Sequence, residues 1–220
     1  MLMIDGMLRD RQYSVEDFGV VSEARNQLSG ISQGCTLSPL LFIVAMSVLL
    51  RDAVDILNEA ASSQYATGDL ADVLYADDTL LLGIRDEHLE EFLRAVYEAG
   101  QRYGMELHFG KFQLITTSAQ PASVRAPDGT VIHSKGSMEY LGSILHGDGQ
   151  ADHEISRRIA MARADFDTLS HTWTHSALTW KQKLRTYVSL VESKLLYSMA
   201  TLVLTVAQRR KLNGFQNRCL

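Results

Sequence analysis

The chain has 220 residues, of which 46% are hydrophobic and 21% charged, with a formal net charge of −5; that is the profile of a soluble globular protein long enough to bury a sizeable core. No apolar run reaches the roughly 18 residues of a membrane-spanning helix, and Cys35 and Cys219 are too few and too distant to suggest a disulfide framework or a zinc site. The charge is split: eleven Lys and Arg against five Asp and Glu from residue 151 onward give +6, leaving −11 for the first 150 residues. Such a split suits a metal-using acidic body beside a phosphate-binding arm, and equally well a set of ordinary solvated helix faces.

In chain order, Met1-Leu2-Met3-Ile4-Asp5 meets an acid before any basic region, unlike a signal peptide, so an intracellular place in nucleus or cytoplasm is expected. Residues 11 to 21 alternate in part and predict a strand or hairpin arm. Gly30 to Leu37 is a loop with two glycines. Ser38 is a good helix N-cap and Pro39 a good first residue for a helix running to about Glu59, apolar on most sides at first and so expected to be buried. Ala71 to Gly83 reads as a β-hairpin tipped by Asp77-Asp78, and Asp86 opens a helix from about Glu87 to Tyr103 that Gly104 stops. Short strands are expected near 105–109 and 112–117, a pair around 123–126 and 130–133 turning at Pro127-Asp128-Gly129, and another strand at Glu139 to His146. Residues 151–169, 177–200 and 205–218 are helical by pattern, which puts a boundary near 147–151.

The Asp77-Asp78 pair is the chemically odd feature. Adjacent carboxylates repel, and ionised acids between apolar strands resist burial. A cation over the tip explains them, and Mg2+, held by one or two carboxylates together with substrate phosphates, is the usual candidate. An exposed turn, where Asp is common, is the alternative. His108, His146, His153, His171 and His175 have no ligand spacing, and Cys35 reads as a packed small hydrophobe. Arg157, Arg158, Arg163, Lys181, Lys183 and Arg185 lie on predicted helices and are candidates to line a duplex backbone; Trp173 and Trp180 are expected in the core.

Several separated motifs together resemble one family. Gly30-Ile31-Ser32-Gln33-Gly34-Cys35-Thr36-Leu37-Ser38-Pro39-Leu40-Leu41-Phe42 is similar to the Gln-Gly-Cys signature of the reverse transcriptases of non-LTR retrotransposons. Tyr75-Ala76-Asp77-Asp78 resembles their catalytic motif and begins its acid pair 44 residues after Gln33, a separation typical of the family. Gly104-Met105-Glu106-Leu107 with Lys111, then Glu139-Tyr140-Leu141-Gly142, and finally Lys194-Leu195-Leu196-Tyr197 continue the resemblance over nearly the whole chain. A lone Tyr-x-Asp-Asp is weak; the thirteen-residue Gln-Gly-Cys segment is specific.

The resemblance implies an α+β fold, with a partial polymerase palm at 1–147 and a helical thumb-like region at 148–220. It implies RNA-directed DNA synthesis by two-metal phosphoryl transfer with Mg2+, acting on an RNA template, a DNA primer and deoxynucleotide triphosphates. Asp77 and Asp78 would be two of three metal-binding carboxylates, Asp77 the more direct ligand. Gln33 would hydrogen-bond template or nucleotide, and Gly34 would let backbone approach it closely. Tyr75 would pack under the primer end or serve as core, Lys111 would act on the pyrophosphate or be merely solvated, and Tyr140, Leu141 and Gly142 would grip the primer.

The family's first catalytic Asp is not evident. Asp5 stands only 28 residues before Gln33, within Ile4-Asp5-Gly6-Met7 that looks like a helix, and reads as a decoy. Phe112-Gln113 and Ser198-Met199-Ala200 also depart from the family pattern. The expectation is therefore the palm and thumb portion of a longer polymerase, a truncated fragment inactive by itself. The alternatives are a non-catalytic remnant that binds nucleic acid and a scaffold with no polymerase role.

Overall fold

The sequence's longest apolar stretch becomes helix α1, Ser38–Ile56, and its C-terminal half anchors the first of two units into which the chain divides: residues up to His108 with Ala126–Asp128, and Phe109–Arg125 with Gly129 onward. The structure, a computed structural model, describes residues 9–28 and 30–219. The fold is α+β, as expected, with small sheets and two helical cores. Asp5 and the segment 4–7 lie outside the described residues.

In the first unit the arm expected at 11–21 forms nested ladders of two-residue strands. Strand β1 (Gln12–Tyr13) pairs with β4 (Arg25–Asn26), and β2 (Glu16–Asp17) pairs with β3 (Val20–Val21), all antiparallel. Helix α1 opens one residue earlier than the sequence suggests. Ser38 is its first residue, and its hydroxyl donates to the Ser32 carbonyl at 2.8 Å instead of capping the helix. The expectation that the early part of this helix is buried is overturned. Leu40 is 58% exposed and Val44 54%, because the part of the helix that packs on the core is the stretch from Met46 onward, with Leu49, Leu50 and Ala53 buried. The helix also stops short of Glu59: Asn58 caps a separate helix α2, Glu59–Thr67, accepting from the Ala61 amide at 2.9 Å.

Strands β5 (Leu70–Tyr75) and β6 (Asp78–Gly83) form the anticipated hairpin, and α3 (Asp86–Arg102) packs on β6 and on α1. The alternation of the hairpin decides its inner face. Leu70 and Leu74 join the core, and between them Asp72 accepts from the Tyr65 hydroxyl at 2.8 Å. Burial first and then this bond push the Tyr65 phenol up to about 12. Gly83 closes the same face where a Cβ would stand 2.8 Å from Leu89 Cγ, so only glycine lets α3 approach the strand without shifting Leu89. Phe92 is fully buried and meets Tyr65 edge-on, ring centroids 5.6 Å apart. Phe92→Ala is expected to destabilise this unit by about 3–5 kcal/mol, read as a lower denaturant midpoint at unchanged m-value.

In the second unit β9 (Val131–Lys135) pairs antiparallel with β8 (Ser123–Arg125) and parallel with β7 (Leu114–Ile115). The strand expected at 105–109 is not formed: the Met105 amide bonds back to the Gly100 carbonyl, and Phe109–Lys111 is a 3-10 turn. Strands β10 (Ser137–Tyr140) and β11 (Ser143–His146) make a hairpin closed by Leu141-Gly142. The helices are α4 (Asp152–Thr168), α5 (Ser170–Thr174), α6 (Trp180–Tyr187), α7 (Ser193–Leu196) and α8 (Val206–Cys219), with a π turn at Val188–Glu192 joining α6 to α7. Ile155, Tyr187, Val191, Leu195, Leu212 and Phe215 form their core. Trp173 is half-buried, its indole N–H donating to the Phe166 carbonyl at 2.8 Å, but Trp180 is 64% exposed and so is not the core residue expected.

Candidate active site

The β5–β6 hairpin has the shortest practical turn. Tyr75 and Asp78 are cross-strand partners, so Ala76 and Asp77 alone reverse the chain. Cross-strand partners share a face, which puts the Tyr75 ring and the Asp78 carboxylate side by side with Asp77 at the apex. All three are exposed, Tyr75 by 62%. Among the described residues no ion pair involves either carboxylate. Ala76 has φ +54°, a left-handed conformation that L residues adopt at a cost of about 1–2 kcal/mol. Such strain concentrates where a turn has to aim a functional group. Ala76→Gly is expected to raise stability by about 1 kcal/mol, with a higher melting temperature as the check.

Gln33 and Gly34 are exposed in the loop before α1. That loop is held from behind, Arg11 donating to the Gly30 carbonyl at 2.7 Å and to the Ser32 hydroxyl at 3.1 Å. Gly34 has φ +86° with open space where a Cβ would stand, so the backbone there is both glycine-specific and approachable. No hydrogen bond joins this loop to the hairpin tip among the described residues. Cys35 is exposed instead of packed. Hydrogen bonds from the Leu37 amide and then from Ser38 hold its thiol below the usual range.

The remaining candidates lie in the second unit. Lys111 is exposed at the end of the 3-10 turn, where Phe109 and Phe112 meet edge-on at 5.4 Å. Leu141 (φ +49°) and Gly142 (φ +72°) both take positive φ, the pattern of a tight hairpin turn of right-handed twist, and the Tyr140 hydroxyl is buried without a hydrogen-bond partner. Arg158 is only 5% exposed: Nε donates to Glu154 at 2.6 Å and Nη2 to the Gly142 carbonyl at 2.5 Å. Arg157 donates to the same two groups at 2.7 and 2.9 Å. Burial drives the Glu154 carboxyl up, but the two guanidinium partners and the Ile144 amide outweigh it and bring it down to about 2. Lys183 donates to the Trp173 carbonyl at 2.7 Å, while Lys181 and Arg185 stand exposed on α6. The parts that Glu154 and Tyr197 play are not evident in the residue pattern alone. The spacing of Glu154 from Arg157 and Arg158, three and four residues along one helix, was the signal available.

Residues 4–145 match the family model described as reverse transcriptase (RNA-dependent DNA polymerase). The chain belongs to the reverse-transcriptase family. No curated protein and no solved structure matches it. The matched stretch contains the Gln33-Gly34 loop, the Asp77-Asp78 tip and the Tyr140–Gly142 turn. A family of RNA-dependent DNA polymerases takes a nucleic-acid template and nucleotide substrates, and normally uses divalent metals. No group of three or more His, Cys, Asp or Glu among the described residues is placed to hold a metal ion. The donor set at the tip fits one in part: two exposed carboxylates are hard oxygen ligands of the kind Mg2+ takes when phosphates and water complete its shell. Among the described residues no helix is long and apolar enough to cross a membrane.

Proposed function

We propose that this chain carries the palm (1–147) and thumb-like region (148–220) of a non-LTR retrotransposon reverse transcriptase, with Asp77 and Asp78 as two of its metal-binding carboxylates. The observation that carries the reading is the hairpin tip, where a strained two-residue turn within the family-matched stretch exposes both acids and sets Tyr75 beside Asp78. Bound there, Mg2+ would neutralise phosphate charge and lower the barrier to phosphoryl transfer. The chain's own part is positional. Asp77 offers its carboxylate from the apex and Asp78 from the strand end. Tyr75 supplies an aromatic surface against the primer end, Gln33 a hydrogen bond to template or nucleotide, and Gly34 a backbone free of side-chain bulk. Lys111 supplies a positive charge for the pyrophosphate, and Tyr140, Leu141 and Gly142 form the primer grip.

With two acids at the tip, the 220-residue chain is expected to bind primer–template without extending it. Primer extension with Asp77→Asn as control tests this: extension that disappears on substitution would overturn the inactive-fragment reading while supporting the site.

Nucleic-acid binding rests on Lys181 and Arg185, whose charged heads are exposed on one helix. Replacing both by Gln should flatten the dependence of log affinity on log salt by about 1.8 for a DNA duplex, less for single strands. Fluorescence anisotropy of a labelled RNA–DNA duplex across a salt series is the measurement. Unchanged binding would take Lys181 and Arg185 out of the interface, and no binding by the unsubstituted chain would favour a scaffold with no nucleic-acid role.

A further inference from the structure

The β10–β11 hairpin ends in two carbonyls that would ordinarily be left to water, and both are taken by side chains from the helical region that follows. Tyr197, just past α7, donates its hydroxyl to the Leu141 carbonyl at 2.8 Å. Arg157 and Arg158 of α4 converge on the Gly142 carbonyl, and the Arg158 guanidinium lies over the Tyr197 ring, 4.5 Å from its centroid. Glu154 closes the set, binding both guanidinium groups and accepting from the Ile144 amide at 3.3 Å. Packing alone does not call for this. A buried ion pair contributes little that apolar residues of the same volume would not, because desolvation offsets the attraction. What the guanidinium adds is a rigid planar fork that reaches a carboxylate and a backbone carbonyl at once, which neither Lys nor an apolar residue can do.

We propose that Arg158, supported by Glu154, Arg157 and Tyr197, is a positioning residue that locks the Leu141-Gly142 turn to the α4 and α7 region, so that the hairpin meets its ligand as a fixed platform. That the ligand is a primer terminus rests on the reading of Tyr140, Leu141 and Gly142 given above; the lock itself does not. Arg157 and Arg158 thereby act on nucleic acid through the turn and not by lining a duplex backbone. Gly142 suits the turn through its positive φ; a Cβ there would meet the Tyr197 hydroxyl at 3.7 Å, an ordinary contact.

Two measurements on the 220-residue chain separate the lock from the ligand. In amide hydrogen exchange, Arg158→Met should speed exchange in the 141–144 segment by about 10-fold or more while Val191 and Leu195 keep their protection, with Arg158→Lys falling between. Equal exchange in the turn, or a rise shared with Val191 and Leu195, would overturn the lock. The second measurement uses an RNA–DNA duplex bearing a photoreactive 3′-terminal thymidine. Arg158→Met should cut the crosslink yield at the turn by about 10-fold while changing duplex affinity by less than about 2-fold, since a fixed platform aims the end without holding the duplex. Yield falling only in step with affinity would count against the positioning role. No crosslink in the unsubstituted chain would remove the primer reading, and the exchange comparison would then decide the lock alone.

Discussion

Glu154→Gln should destabilise the second unit by about 3–5 kcal/mol, the cost of leaving the buried Arg158 guanidinium without its carboxylate. Glu154 is 3% exposed and serves Arg157, Arg158 and the Ile144 amide together. Its loss leaves the Arg158 guanidinium without the carboxylate it bonds and loosens the turn that both arginines hold. The pH dependence has a definite sign. The folded carboxyl titrates at about 2, below the ordinary glutamate value near 4.5 that it has when unfolded. The folded state therefore binds this proton less readily, and the stabilisation is complete above about pH 5 and lost as the pH falls from there towards 2. Chemical denaturation at pH 7 and pH 3 should show the gap between wild type and Glu154→Gln narrowing at the lower pH. A gap that stays constant would mean that Glu154 contributes through packing alone.

Asp77→Asn should weaken Mg2+-dependent nucleotide binding by about 10-fold or more, with Asp78→Asn the milder of the two. Asp77 sits at the apex of the turn with no cross-strand partner, whereas Asp78 is fixed opposite Tyr75 at the strand end. Each charge contributes to holding a divalent cation, and the apex carboxylate is the freer to rotate into its shell. Neither substitution should lower stability, since both side chains are exposed and adjacent like charges repel. Calorimetric titration of a deoxynucleotide triphosphate with and without Mg2+ reads the first effect, and thermal melting reads the second. Equal nucleotide binding by both variants and the wild type would detach the acid pair from the site.

What was legible in the sequence depended on how local its cause is. The β5–β6 hairpin could be read because two apolar strands flank a polar pair, and α3 because an acid opens it and Gly104 ends it. The exposed half of α1 could not be read, because hydrophobicity all round a helix says nothing about which stripe meets a neighbour; here the stripe from Met46 onward does. Trp180 and Cys35 were misplaced for the same reason: residue type favours burial, but tertiary contacts decide it. At the site, the tip and the Gln33-Gly34 loop announced themselves by residue type and spacing. The Arg158 fork did not, because its carbonyl partner at Gly142 is a backbone atom sixteen residues away, and backbone acceptors leave no trace in side-chain chemistry.

The central claim is that the two acids at the β5–β6 turn hold a divalent cation against nucleotide phosphates. Titrating Mn2+ into isotopically labelled chain and following amide signals by NMR tests it most directly. Broadening should begin at Ala76 to Thr79, spread to Gln33 and Gly34 when a deoxynucleotide triphosphate is present, and vanish from the tip in Asp77→Asn. Broadening that appears elsewhere first, or that persists at the tip after the substitution, would contradict the account.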